Sequence, residues 1–131
     1  MTETNLSAVA VTLVVSATND HISFARLQAT AVAGKIGFDY DAIEDVRIAV
    51  SELCGTVIAC AAPSSELRLE IRGGDDGLRG TGRAPQAPGA MLEPAELSDP
   101  GLKVVTDEYS YDESDTDASF TMVRAARSED S

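Results

Sequence analysis

The sequence predicts an α+β two-layer sandwich, with helices packed on one face of a mainly antiparallel sheet. Three observations carry this expectation. A Val-rich run near the start is followed by two stretches of helical apolar spacing; a short alternating run meets a Gly/Asp turn that sends it back antiparallel; and two further short runs flank an acidic turn near the end. With 131 residues, 44% of them hydrophobic, the chain is expected to form one domain spanning 1–131 with its own core. Its acidic tail, from about residue 127, is expected to fray.

Residues 8–15 intersperse Val with small and polar residues, as suits a strand buried on at least one face. Residues 16–20 supply N-cap side chains for a helix running to about Lys35, where Gly34 and Gly37 bracket its end. Ile22, Ala25, Ala29, Val32, Ala33 and Ile36 form one apolar row on that helix, and Phe24, Leu27 and Ala31 a second on roughly the opposite side. The second row suits either a partner or burial within a layered fold. The next helix starts near Asp41, whose spacing to Glu44 reads as an N-terminal cap, and its stripe includes Val46, Val50, Leu53, Cys54 and Val57. Residues 62–65 close it.

Residues 67–71 alternate apolar and charged side chains, 73–77 have the composition of a tight turn, and 78 to about 84 return antiparallel. Residues 83–100 hold four of the five prolines and read as a long surface loop with one turn of helix at 95–98. A short helix over 102–106 and a strand pair at 109–111 and 118–123 complete the order.

The formal net charge of -12 disfavours nucleic acid, because phosphate contacts need clustered cations. The acidic residues of 107–117 and 129–130 read as a solvated loop and tail. No apolar run is long enough to span a bilayer and no signal-like leader begins the chain, so a soluble cytoplasmic protein is expected. Cys54 and Cys60, six positions apart on one helix, point in different directions and are expected to be buried thiols. With His21 as the lone histidine, and near a helix start, neither a zinc cluster nor a Ser-His pair is expected.

The segments Ser23-Phe24-Ala25-Arg26, 38–48 and Ala49-Val50-Ser51-Glu52-Leu53-Cys54 resemble the bacterial anti-sigma factors that are also serine/threonine protein kinases, a branch of the Bergerat-fold (histidine-kinase-like) ATPases. The element order resembles that family over nearly the whole chain. In the family a Glu-x-x-x-Asn motif lies on the second helix, the Glu acting as general base for phosphoryl transfer and the Asn holding Mg²⁺. Residues four apart share a helix face, so one side chain orients the hydroxyl while the other organises the metal. Glu52 matches the first position. The second is Thr56, which lacks the amide oxygen. Apart from the resemblance, Glu52 reads as a carboxylate on a solvent-facing side of a helix.

The family's Asp-x-Gly-x-Gly, whose Asp holds the adenine amino group, follows the second hairpin strand. Asp75-Asp76-Gly77 falls too early, at the turn, and the corresponding position near Ala84 offers no carboxylate. The family's glycine-rich phosphate lid corresponds to 94–103, where only Gly101 is found, after Pro100, and Glu96 would repel phosphate. Three of the four pocket elements therefore depart from the family, and ATP with Mg²⁺ is expected to bind weakly or not at all. Arg26 matches the family arginine on the surface that contacts the sigma factor and the competing antagonist. The alternative for Arg26 is one more exposed helical arginine. The resemblance implies a homodimeric anti-sigma factor that sequesters a sigma factor in a partner-switching system, or else an ATP-dependent kinase that phosphorylates the antagonist through Glu52.

Overall fold

The computed structural model describes residues 8–127. The order is β1 (Val9–Ser16), a 3-10 turn at Asn19–His21, α1 (Ile22–Lys35), α2 (Tyr40–Ala59), β2 (Glu66–Gly74), β3 (Gly77–Pro85), α3 (Ser98–Val105), β4 (Glu108–Glu113) and β5 (Asp117–Ala125). The five strands form one sheet in the order β1-β2-β3-β5-β4 with every neighbouring pair antiparallel. Helices α1 and α2 pack side by side on one face of it. The expected α+β sandwich is therefore what forms. The tail expected to fray, from about residue 127, lies outside the described residues beyond Arg127.

Strict alternation places the core. Leu67, Leu69 and Ile71 of β2, Leu78 of β3, and Ala118, Phe120 and Met122 of β5 face the helices and are buried, while the residues between them face outward. They meet Val46, Val50, Leu53, Cys54 and Val57 of α2, all of which have no solvent exposure. Burial pushes the Cys54 thiol up to about 12, which leaves it protonated and inert at neutral pH. Cys60 is buried too, and both cysteines are free thiols, as expected.

Two boundaries differ from the sequence expectation. The α2 cap is Asp39, not Asp41: Asp39 has extended backbone angles, and its carboxylate accepts a hydrogen bond from the Ala42 amide at 2.9 Å. Glu44 does not close a capping box; it pairs with Arg47 one turn on, at 3.0 Å. The third helix starts at Ser98, four residues earlier than expected, so the turn at 95–98 feeds directly into it through the Ser98 amide to Ala95 carbonyl bond of 3.0 Å. Pro100 falls in its first turn, where a missing N–H breaks no helical bond. Glycine is required at Gly77, whose φ of 124° lets the two-residue Asp75-Asp76 turn close the β2–β3 hairpin.

Candidate functional site

The two apolar rows of α1 have different fates. Ala25, Ala29, Val32 and Ala33 are buried against the sheet and α2, whereas Phe24 and Leu27 remain 51% and 67% exposed and Ala31 is exposed beside them. Phe24 stacks at a tilt on His21, with ring centroids 5.6 Å apart. Arg26 lies on the side of α1 nearest α2, half-buried. Its Nη1 donates to Ser51 Oγ at 3.4 Å, and Ser51 Oγ donates in turn to the Arg47 carbonyl at 2.7 Å. The helix thus presents a guanidinium anchored at one nitrogen next to a run of uncovered apolar side chains.

Glu52 follows Ser51 along α2 and lies half-buried on the rim of a groove of about 390 Å³ between α2 and α3. Ile48 and Ser51 line its near wall, Leu97 and Leu102 its far wall. Among the described residues the Glu52 carboxylate makes no hydrogen bond or ion pair. One turn on, Thr56 is buried at 9% exposure. Its hydroxyl donates to the Glu52 carbonyl at 3.1 Å and accepts from the Tyr111 hydroxyl at 3.2 Å. The single proton of Thr56 is spent on its own helix, and one of its two acceptor positions is taken by β4. Burial, above all, raises the Tyr111 phenol above its ordinary range, and the Glu52 charge adds to this.

The remaining positions are equally occupied by structure. Ala84, near the end of β3, is 1% exposed and sits opposite Ala118 of β5. The loop after it is pinned by Glu113, which accepts from Gln86 Nε2 and from the Leu92 amide; these bonds hold its carboxyl below the usual carboxylate range. Asp99 in the first turn of α3 accepts from the Tyr109 hydroxyl and pairs with Lys103 at 3.0 Å. Both partners lower the Asp99 pKa, and the same contact pushes Tyr109 up to about 12. Leu102 and Val105 turn inward and are buried, so α3 is a packed helix joined to β4. Among the described residues no three His, Cys, Asp or Glu side chains are grouped to hold a metal ion.

The structure therefore brings Arg26 of α1 against Ser51 of α2, with Glu52 next to Ser51 and the buried Thr56 one turn further on. Sequence reasoning missed Ser51 and Tyr111. Ser51 had a signal, its four-residue spacing from Arg47, but Tyr111 lies 55 positions from Thr56 and had none.

No family model matches the chain. It is 34% identical to the serine-protein kinase RsbW of Bacillus cereus (strain B4264), over 45% of this chain and 44% of that protein. It is 36% identical to the protein of the same name from Listeria monocytogenes serotype 4a (strain HCC23), over 51% of this chain and 37% of that protein. The chain thus spans less than half the length of the curated relatives it matches. A crystal structure of the RsbU and RsbW domains of Rv1364c from Mycobacterium tuberculosis aligns with a TM-score of 0.72 and 17% identity, over 91% of this chain and 33% of that one. The resemblance stated from the sequence holds: the chain is similar to the RsbW serine-protein kinases in sequence and shares the fold.

Proposed function

We propose that this chain, a relative of the RsbW serine-protein kinases, is an anti-sigma regulatory factor with weak or lost ATP binding. In this reading it binds and sequesters a sigma factor in a partner-switching system, acts in the cytoplasm as a homodimer, and releases its target when an antagonist protein competes. Among the described residues no helix is long and apolar enough to cross a membrane. The observation that carries the reading is the outer row of α1, where Phe24 and Leu27 stay in water beside a tethered Arg26. Apolar side chains exposed together gain free energy only when another surface covers them. A guanidinium held at one nitrogen keeps its other donors for carboxylates or carbonyls on that surface.

The nucleotide side supports the same reading. Magnesium needs oxygen ligands it can draw from, and the Thr56 hydroxyl is committed to the Glu52 carbonyl and to Tyr111. A methyl at Ala84 offers adenine no acceptor, and α3, joined to β4 through Asp99 and Tyr109, fills the lid position without a run of glycines. The residues present do not fit the metal or the nucleotide. The test of the binding reading is Arg26→Glu, which is expected to weaken capture of the cognate sigma factor in a pull-down; equal capture by the variant would reject Arg26 as part of the surface.

One observation favours a second reading, an ATP-dependent serine/threonine kinase acting on the antagonist. Glu52 faces an open groove and, among the described residues, its carboxylate makes no hydrogen bond or ion pair, as a general base requires. On this reading Glu52→Gln abolishes phosphate transfer to the antagonist. Sequestration alone predicts no transfer by the unmodified chain.

A further inference from the structure

The outer face of the sheet, away from the helices, carries an arrangement that the fold does not explain. Arg68 and Arg72 of β2 and Arg79 and Arg83 of β3 all point outward and are exposed. The register sets Arg68 opposite Arg83 and Arg72 opposite Arg79. Directly opposed like charges on neighbouring strands, with Cβ atoms about 5 Å apart, destabilise a sheet. The chain has 10 basic and 22 acidic residues, so four of its few cations are gathered into two facing pairs when acidic partners are plentiful elsewhere. Neutralisation on the face itself is slight. Arg72 Nε donates to Glu70 at 3.1 Å, while among the described residues Arg68, Arg79 and Arg83 make no hydrogen bond or ion pair.

The anion that suits this face is set by three features. All four cations are arginines, whose planar fork grips a carboxylate through two parallel hydrogen bonds, which lysine does not. The two pairs lie four residues apart along the strands, about 13 Å, which is the separation of side chains four apart in another extended polypeptide. The pairs are also bounded by charge of the other sign: Glu66 and Glu70 on β2 and, across β5, Glu108 and Asp112 on β4 share the same face. A continuous polyanion such as a nucleic-acid backbone, or a flat anionic membrane, would be forced against those carboxylates. A polypeptide places its charges singly and leaves neutral residues over the acidic positions. Hollows of about 300 Å³ and about 630 Å³ flank the Arg68–Arg83 pair and give such side chains room.

We infer that the outer face of the sheet docks an acidic, extended polypeptide segment, with its carboxylates held by the Arg68/Arg83 and Arg72/Arg79 pairs. The site lies on the opposite layer from α1 and from the α2–α3 groove, so it stands or falls independently of the function proposed above. Its affinity depends on salt, because the arginines are exposed.

The experiment is fluorescence anisotropy of the whole chain with a labelled extended peptide carrying glutamates four residues apart and serines between them, at low and high salt. An oligothymidylate and vesicles of phosphatidylglycerol serve as the competing anion classes. The expected result is salt-sensitive binding of the spaced-glutamate peptide, weakened at least about tenfold in Arg68→Gln/Arg83→Gln. The melting temperature of that double variant stays equal or rises, since a like-charge pair has been removed. No binding by the unmodified chain, equal binding by the double variant, or tighter binding of the oligothymidylate or the vesicles would overturn the inference. Salt-sensitive self-association that disappears in the double variant, with no peptide bound, would also overturn it by making the face a contact between copies.

Discussion

The two flanks of α2 start from similar material and end chemically opposite. Toward α1, large apolar side chains stay in water and a guanidinium hangs from one hydroxyl. Toward α3, the groups nearest Glu52 bond to one another: Thr56 to its own helix, Tyr111 to Thr56, Tyr109 to Asp99. Among the described residues Phe24 and Leu27 stay largely uncovered, because the other row of α1 already fills the space against the sheet. On the α3 flank these polar groups make hydrogen bonds within the fold. A groove can keep its outline after its donors and acceptors have been turned to internal use, while a surface poised for a partner shows up as an interaction left unmade.

The sharpest way to break the comparison is Ala84→Asp, which returns a carboxylate to the position near which the family holds adenine. Because Ala84 is 1% exposed and faces Ala118, the buried charge should cost about 3 kcal/mol or more in urea unfolding. A stable variant that gains nucleotide affinity would mean that the α3 flank still has a ligand site. Next in size is Arg26→Glu. Sigma-factor capture should fall at least about tenfold, with stability changed by no more than about 0.5 kcal/mol, since a half-exposed hydrogen bond of 3.4 Å contributes little to folding. A large loss of stability would make Arg26 a structural residue and erase the contrast. The smallest effect is expected from Tyr111→Phe, which deletes the donor to Thr56 and should lower stability by about 1 kcal/mol. No change would mean that Thr56 is less committed than its hydrogen bonds indicate.

Much of this architecture was legible from residue spacing. The α2 stripe, the Asp75-Asp76 turn and the alternation in β2 each follow from a local period, and each forms where that period places it. The cap of α2 was misplaced because Asp39 and Asp41 both precede the stripe, and only the extended backbone at Asp39 decides between them. The start of α3 was missed because the proline-rich run 83–100 reads as a surface loop, although the first helical turn tolerates Pro100. In the site, Glu52, Thr56 and Arg26 could be singled out by motif, but what each side chain bonds to could not. Tyr111 and Thr56 are 55 positions apart, and the Arg124–Asp45 ion pair that ties the end of β5 to α2 joins residues 79 positions apart. The facing arginines belong to the same class: each is an ordinary strand residue until the β2–β3 register puts them opposite one another.

The most direct test of the central claim is titration of the purified chain with Mg²⁺-ATP, following the melting temperature and sigma-factor capture together. A ligand that binds only the folded state raises its stability by mass action. The account predicts a melting temperature that does not move and capture that is the same with and without nucleotide. A melting temperature that climbs with nucleotide concentration, accompanied by a change in capture, would contradict it.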